Sequence, residues 1–361
     1  MEINRENLIE GLKKAKVFIG KSSENLPILT KVHFNAEKQA LEATNLETFI
    51  KIPMKMTKCK RKSKGEDIFT SFCGDPGDII KILKLESGDK VTIDLKKMKT
   101  EGDMFSLYQI TLGENFETLH VLPSDEFPTI DTPPEKDTKK VADLTKAQIL
   151  KVNNIKTTED NFRHDIVHIS PSSEMVKTDG HRLHLLKIQS SGESVNIPAD
   201  ALTKIGKILQ KDEYADLSVS GIYGIFEIGV IDVIVRLSDI NYPDYKGVFL
   251  ENAHSVVVNR EALLTAATQA SIMDVSALMT FNGKLEIRCS NPEKGEYANN
   301  DIPFQGEGVG EEILMGINPE YIRDVLTSCS ADEVTIELID ESKPLVFTET
   351  DFTGLVMPVR V

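Results

Sequence analysis

A faint internal repeat constrains the fold of this chain more than any other feature of its sequence. Asn4-Arg5-Glu6 opens a segment in which apolar residues, beginning with Leu8 and Leu12, recur at spacings of three or four positions. Asn259-Arg260-Glu261 opens a similar segment, and residues 144–150 supply a middle copy. Such spacing predicts amphipathic helices, and self-similar segments along one chain predict repeated structural units.

A second helix is predicted in each third of the chain by a proline at or near the first helical turn, where its missing N–H group costs nothing. The three segments are Asp75-Pro76, Ile197-Pro198 and Asn318-Pro319. Alternating or β-branched runs, which are typical of strands, follow each helix. Each third closes on an aromatic or apolar residue before a proline, at Phe127-Pro128, Tyr242-Pro243 and Met357-Pro358. The repeat unit is therefore helix, strands, helix, strands over about 110–130 residues, which predicts an α+β fold.

The domain organisation follows from the repeat and from two linker-like stretches. A length of 361 residues is sufficient for two or three domains, each with its own core. Polar, proline-bearing residues at 131–137 have the composition of a linker, and residues 247–252 form a shorter candidate. We therefore predict three domains of one fold, at residues 1–131, 138–248 and 253–361.

Composition and charge exclude several classes of protein. The chain has 42 Lys+Arg and 57 Asp+Glu, a formal net charge of −15, and 40% hydrophobic residues, as in an ordinary soluble globular protein. The first residues are charged throughout and do not resemble a secretory signal. The most apolar stretch, from Gly221, is interrupted by Glu227 and Asp232, which excludes a membrane span. We expect a cytoplasmic protein.

No pattern of residues predicts a catalytic centre, a metal site or a cofactor. His164 and His168 are four residues apart, but the glutamate of a zinc-protease helix is missing and the segment is typical of a strand. The four cysteines lie far apart without a CxxC pair, which favours reduced thiols. They are Cys59, Cys73, Cys289 and Cys329. We predict a protein that is not an enzyme.

Two groups of basic residues stand out from the acidic background. A run from Lys55 to Lys64 contains no acidic residue, and an exposed loop or hairpin is its simplest interpretation. The second group lies on the predicted helices, where lysines are often only solubilising. If those helices share one side, an acidic protein can still present a positive surface to phosphates. The helix lysines are Lys13, Lys14, Lys81, Lys84, Lys146, Lys204 and Lys207.

Several short motifs, in order along the whole chain, resemble the bacterial DNA polymerase III beta subunit, the sliding clamp family. The middle repeat contains Thr178-Asp179-Gly180-His181-Arg182-Leu183, and residues 241–245 read Asn-Tyr-Pro-Asp-Tyr. The chain ends on Val-Met-Pro-Val-Arg-Val at 356–361. Further matches are residues 26–29, 43–47, 127–128 and 318–326.

The resemblance implies three clamp-fold domains, each with two helices backed by β-sheets, and a head-to-tail homodimer that closes a ring around duplex DNA. A clamp catalyses no reaction. It slides without sequence specificity and acts as a DNA polymerase processivity factor, associated with the nucleoid during replication. The helix lysines would face DNA, and by location Lys21, Phe162 and Arg163 would join them. Candidates for the ring-closing interface are Phe116, Leu119, Ile272 and Met273.

The family's partner site is a hydrophobic groove between the middle and last domains. It accepts short peptides from the replicative DNA polymerase, the clamp loader and other proteins with a clamp-binding motif. Leu, Val, Met and Pro side chains suit such peptides because they offer apolar pockets. An alternative interpretation of the last six residues is a buried closing strand, and one strand can serve both roles. Carried over motif by motif, the groove residues are Thr178, Gly180, His181, Arg182, Leu183, Pro243, Val248, Leu355, Val356, Met357, Pro358, Val359 and Arg360.

A second hypothesis remains open at this stage. The chain could be a divergent clamp-fold adaptor that binds peptides and does not close on DNA. Gly247 stands where the family often has a basic residue near the groove, so partner affinity is expected to differ. Stable loading on circular DNA distinguishes the two hypotheses.

Overall fold

The protein is described by a computed structural model. The description covers residues 1–21, 26–57, 71–98, 107–112, 117–130, 137–156, 165–250, 254–307 and 312–360. Six α-helices lie within these ranges. They are α1 (Arg5–Ala15), α2 (Pro76–Leu85), α3 (Lys146–Val152), α4 (Ala199–Ile208), α5 (Arg260–Met273) and α6 (Pro319–Ser328).

The strands of the described residues are numbered in chain order. Those that begin before residue 140 are β1 (Glu2–Asn4), β2 (Val32–Asn35), β3 (Ala40–Thr44), β4 (Thr48–Pro53), β5 (Phe72–Gly74), β6 (Lys90–Met98), β7 (Leu107–Leu112), β8 (Glu117–Pro123) and β9 (Lys139–Thr145). Those of the middle third are β10 (Ile166–Ile169), β11 (Glu174–Thr178), β12 (Arg182–Lys187), β13 (Val195–Pro198), β14 (Tyr214–Ser220), β15 (Tyr223–Ile228) and β16 (Ile231–Arg236). The last are β17 (His254–Asn259), β18 (Ala277–Phe281), β19 (Leu285–Asn291), β20 (Gly295–Ile302), β21 (Phe304–Glu307), β22 (Ile313–Ile317), β23 (Glu333–Leu338), β24 (Leu345–Thr348) and β25 (Phe352–Val356).

The first helix of each repeat begins at a polar N-cap residue. The Asn4 side chain accepts from the Asn7 amide at 3.0 Å, before α1. Asn259 plays the same part before α5, accepting from the Ala262 amide at 2.9 Å. Thr145 forms a capping box with Gln148 before α3. These caps satisfy backbone N–H groups that a helix leaves without a partner, so local sequence determines where the helices start. The predicted repeat of the first helix is confirmed.

The second helix of each repeat also begins where its proline predicts. Asp75 caps α2 and Asn318 caps α6, each with a proline as the first helical residue. In the middle copy, Pro198 ends β13 and α4 begins one residue later. The alternating runs between the helices form antiparallel strands. The chain therefore has a repeated α+β fold.

The chain divides into two compact units, whose boundaries cut through the second third of the sequence. The first unit contains residues 1–140 and 204–236. Its strands form one antiparallel sheet in the order β1-β6-β7-β8-β5-β2-β3-β4-β16-β15-β14. The pairing of β4 with β16 joins a strand of the first third to one of the second, with Ile50 opposite Val233. The division into three domains stays a prediction.

The second unit contains residues 141–203 and 237–361. It has a nine-stranded sheet in the order β13-β10-β11-β12-β25-β24-β23-β17-β21 and a four-stranded sheet in the order β20-β19-β18-β22. Helix α6 packs directly on β25, since a Cβ atom added at Gly354 would lie 2.3 Å from Cγ1 of Val325. A larger residue at Gly354 would push the helix away from the strand.

Three of the four cysteines lie within the described residues. Cys73, Cys289 and Cys329 are free and buried, while Cys59 lies outside the description. Burial raises the pKa of Cys329 to about 12, which keeps this thiol protonated. Within the described ranges, no helix is long and apolar enough to cross a membrane, and no three His, Cys, Asp or Glu residues are grouped so that they could hold a metal ion.

Candidate functional site at the C-terminal strand

Strands far apart in sequence come together at the candidate site. β12 pairs antiparallel with β25, with Leu183 opposite Leu355 and Arg182 opposite Val356. β11 lies on the other side of β12, and β24 lies on the other side of β25. The motif at 178–183 and the last strand of the chain are therefore neighbours in one sheet.

An apolar cluster lies on these strands and reaches the surface. Its partly exposed members are Tyr242, Phe249 and Met357. They pack against six buried residues, namely Val176, Leu183, Leu185, Tyr245, Val346 and Leu355. We call these nine residues the apolar cluster. A polar peptide backbone can lie on such a surface while its apolar side chains are removed from water.

The turn between β11 and β12 is held by its own side chains. Gly180 has a φ of +88°, a left-handed conformation that glycine adopts without strain. Thr178 Oγ1 accepts from the Gly180 amide at 3.1 Å and donates to the Arg182 carbonyl at 2.8 Å. Asp179 Oδ1 accepts from the amides of His181 and Arg182 at 3.0 Å each. The turn therefore presents Gly180 and His181 to solvent in a fixed position.

Arg182 is buried behind this turn and joins several elements. Its Nε lies 3.0 Å from Asp179 Oδ2 and its Nη1 lies 2.6 Å from Asp324 Oδ2 on α6. Nη2 donates to the carbonyl of Lys156 at 3.1 Å, and the guanidinium lies 4.4 Å from the ring centroid of Tyr321. The planar guanidinium suits such a site because its donors satisfy several acceptors at once. Arg182 thus supports the candidate site from below and holds it to α6.

Residues 242–248 form one wall of the site. Tyr242 Oη donates to the Val176 carbonyl at 3.2 Å, and Tyr245 Oη donates to Glu174 Oε2 at 2.6 Å. Burial alone would raise the pKa of Glu174, but hydrogen bonds from Tyr245 and Ser172 and the nearby Lys246 ammonium lower it. Glu174 is therefore a carboxylate at neutral pH. Pro243 and Val248 are exposed on this wall, with Val248 37% accessible.

The residues after β25 form the opposite wall. The Met357 amide donates to the carbonyl of His181 at 2.8 Å, and the Val359 amide donates to the carbonyl of Gly316 at 2.9 Å. Met357, Pro358 and Val359 are half-buried, and Arg360 is exposed. Both interpretations of the chain end are compatible with this arrangement, since β25 is buried and its continuation lies at the surface.

The thirteen predicted groove residues fall into two groups. Four are buried and support the site from within, namely Arg182, Leu183, Leu355 and Val356. The others are exposed or half-buried around the apolar cluster. Sequence reasoning missed Val176, Leu185, Tyr242, Tyr245, Phe249 and Val346. The period of two along β11, β12 and β24 could have found the aliphatic ones, because alternate residues of a strand share a face.

The predicted DNA-facing lysines occupy different environments. Lys13, Lys14 and Lys207 line a cavity of about 550 Å³, together with Glu10 and Glu213. Lys21 and Lys84 are exposed, and Lys146 is half-buried. Lys81 is exposed and lies 2.9 Å from Asp78. Phe162 and Arg163 lie outside the described residues.

Lys204 is placed differently from the sequence prediction. It is buried, with its Nζ 3.5 Å from Thr48 Oγ1. The helical spacing explains this position, since Lys204 shares a face of α4 with the buried residues Ala201 and Ile208. Its burial makes Lys204 the least accessible lysine of the DNA-facing set, whose contact with DNA stays a prediction.

The candidates for the ring-closing interface are partly described. Ile272 is 64% exposed near the end of α5, next to the half-buried Met273. Leu119 is half-buried in β8, and Phe116 lies outside the described residues. Of the basic residues from Lys55 to Lys64, only Lys55 lies within the described residues, and it is exposed.

The chain is similar to known bacterial proteins in sequence and in structure. Residues 250–360 match the profile of the DNA polymerase III beta subunit, C-terminal domain. The beta sliding clamp of Staphylococcus epidermidis is 27% identical, over 93% of this chain and 92% of that protein. The beta sliding clamp of Staphylococcus aureus is 25% identical over the same shares.

Solved structures have the same fold over the whole chain. The DNA polymerase sliding clamp of Bacillus subtilis superposes with a TM-score of 0.79 at 20% identity, covering 100% of this chain and 98% of that one. The DNA polymerase III beta chain of Streptococcus pneumoniae gives 0.80 at 22% identity, covering 100% and 99%. The fold is thus that of a sliding clamp, a class of non-catalytic processivity factors. The resemblance to the bacterial DNA polymerase III beta subunit that the sequence motifs indicate is confirmed over nearly the whole chain.

Proposed function

We propose that this protein forms a homodimeric ring around duplex DNA and tethers replication and repair proteins through a groove over the apolar cluster. The observation that carries the proposal is the pairing of β12 with β25, which brings the motif at 178–183 beside the C-terminal residues. The partners would be a replicative DNA polymerase, a clamp loader and other proteins with a clamp-binding peptide. No bond of the DNA changes, and no cofactor is needed.

The chemistry of the cluster supports binding of peptides with apolar anchors. Aliphatic side chains line its base, and Tyr242, Phe249 and Met357 edge it at the surface. A methionine side chain adapts to anchors of different shape, which suits a surface shared by several partners. A peptide with a glutamine followed by spaced leucine and phenylalanine residues is the probe of choice.

The lysines around the cavity between α1 and the end of α4 support contact with DNA. Lys13, Lys14 and Lys207 give this cavity three positive charges against two from Glu10 and Glu213. A small net attraction suits a sliding protein, because phosphate contacts supply affinity without reading sequence and strong contacts would act as a brake. A net charge of −15 for the chain is compatible with this local excess.

Neutralising the three cavity lysines tests that assignment. For the variant Lys13→Gln/Lys14→Gln/Lys207→Gln we expect weaker binding to linear duplex DNA. The slope of log affinity against log salt concentration should decrease in magnitude by about 2 to 3. The control variant Lys187→Gln/Lys284→Gln/Lys343→Gln removes the same charge from other parts of the surface. An equal effect of both variants on the salt dependence would show that only overall charge matters.

Retention on circular DNA tests ring closure. With a clamp loader and ATP, we expect stable retention on nicked circular DNA and loss of that retention when the circle is cut. The free protein should sediment as a particle of about twice 40.2 kDa. A monomer that binds the peptide probe but is never retained on the circle would favour the second hypothesis, a clamp-fold adaptor.

A further inference from the structure

The wall formed by residues 242–248 is irregular and depends on side chains for its position. Between Leu237 and Leu250, the short 3-10 helix Lys246–Val248 is the single regular element, and no strand is present. A segment without a ladder of backbone hydrogen bonds opens more easily than a strand. Its place relative to the apolar cluster is therefore determined by the contacts of individual side chains.

The first half of this segment is fixed by neutral groups. Asn196 Nδ2 donates to the carbonyl of Ile240 at 2.7 Å. Tyr242 donates to the Val176 carbonyl, and its ring stacks on His168 with centroids 4.6 Å apart. Beyond Tyr242, the buried Tyr245 ring lies edge-on to the rings of His168 and Tyr242 and packs in the apolar cluster, as does Phe249.

In addition to this packing, the polar contacts that join the second half to β11 converge on one carboxylate. Glu174 Oε2 accepts from Tyr245 Oη at 2.6 Å and lies 3.5 Å from Lys246 Nζ. The same oxygen accepts from Ser172 Oγ at 2.7 Å, and Ser172 Oγ also accepts from Lys246 Nζ at 3.0 Å. Hydrogen bonds to a charged acceptor are stronger than those between neutral groups. Because Glu174 begins β11, two residues before Val176, it joins the wall to the strand beneath the cluster.

We infer that Glu174 is a positioning residue for the peptide groove, acting through Tyr245 and Lys246 on the wall that carries Val248. Its own side chain is occupied by these contacts and does not need to touch the partner peptide. The inference rests on the proposed function, since the position of the wall matters to partners only if the groove binds them.

Two measurements on the full-length protein test this role. Hydrogen exchange of the amides of residues 245–249 reports the wall itself, and fluorescence anisotropy with the glutamine-leucine-phenylalanine peptide reports the groove. For Glu174→Ala we expect exchange about tenfold faster and a Kd about tenfold higher, because the variant loses hydrogen bonds to a charged group. Glu174→Gln keeps an acceptor for Tyr245, so its Kd should stay within about threefold of the wild type.

A double variant separates positioning from a general loss of stability. Tyr245→Phe removes the same hydrogen bond from the other side, so Glu174→Ala/Tyr245→Phe should bind within about twofold of Glu174→Ala alone. The matched control is Glu293→Ala, in the turn between β19 and β20 of the other sheet, which should leave both measurements unchanged.

The outcomes distinguish this inference from the proposed function. A wild-type protein that does not bind the peptide contradicts the groove, and the exchange result then decides alone whether Glu174 holds the wall. Unchanged exchange in Glu174→Ala overturns the inference whatever the peptide does. Additive losses in the double variant, or a Glu174→Gln variant as weak as Glu174→Ala, overturn it as well.

Discussion

Removal of residues 357–361 is expected to weaken binding of the glutamine-leucine-phenylalanine peptide by at least about a hundredfold, since a few central contacts carry most of the energy of such interfaces. Met357 is one of three residues that bring the apolar cluster to the surface. The Met357 amide donates to the His181 carbonyl and the Val359 amide donates to the Gly316 carbonyl. These hydrogen bonds fix the position of the wall that the truncation removes.

The truncation should leave the rest of the molecule intact. β25 ends at Val356 and keeps its pairing with β12 and β24. Fluorescence anisotropy measures the peptide affinity, and sedimentation shows whether the particle mass is preserved. The milder variant Met357→Ala removes one side chain only and should lose about tenfold. Undiminished peptide binding in the truncation would place the partner site elsewhere on the protein.

Replacing Arg182 by methionine is expected to lower the free energy of unfolding by about 3–5 kcal/mol, the cost of breaking a buried ion pair from one side. The change leaves the Asp179 carboxylate without a guanidinium partner, while Asp324 keeps only that of Arg323, 3.0 Å from its Oδ1. It also removes the donor to the Lys156 carbonyl and the contact with the Tyr321 ring. Peptide affinity should fall with stability, because the turn at 179–181 loses its support.

Urea denaturation followed by far-ultraviolet circular dichroism measures this change, since the chain contains no tryptophan for fluorescence. Arg236→Met, at an exposed position at the end of β16, is the control and should alter stability by less than about 0.5 kcal/mol. Adding Asp179→Asn to Arg182→Met should recover part of the loss, because it removes the carboxylate charge that has lost its partner and keeps an oxygen for the amides of His181 and Arg182. If the free energy of unfolding of Arg182→Met equals that of the wild type, water rather than the guanidinium satisfies the carboxylate of Asp179.

The site thus combines an apolar surface with two polar supports beneath it. Arg182 holds the turn at 179–181 and α6, while Glu174 holds the wall at 242–248. Apolar contacts have no preferred direction, so the hydrogen-bonded charges beneath the surface give it a defined shape. The two predicted phenotypes differ accordingly. Arg182 variants should lose stability, whereas Glu174 variants should lose order in one wall.

Much of the local structure could be predicted from the sequence. Asn4, Asp75 and Asn318 each cap a helix that begins at the next residue, as the repeat predicts. Helix caps and alternating strands arise from contacts a few residues apart, so the information is contained in short segments. The partner motif was recognised for a different reason, namely its resemblance to a known family.

The sequence by itself therefore determined the repeat, the α+β class and the helix starts of this protein, because these follow from neighbouring residues. The tertiary structure decided which side chains meet across long separations. It assembled the apolar cluster from four strands, a loop and Met357 after the last strand, gave Arg182 its partner Asp324, and buried Lys204 on the inner face of α4. Such contacts depend on strand order and helix packing, which one linear pattern does not specify.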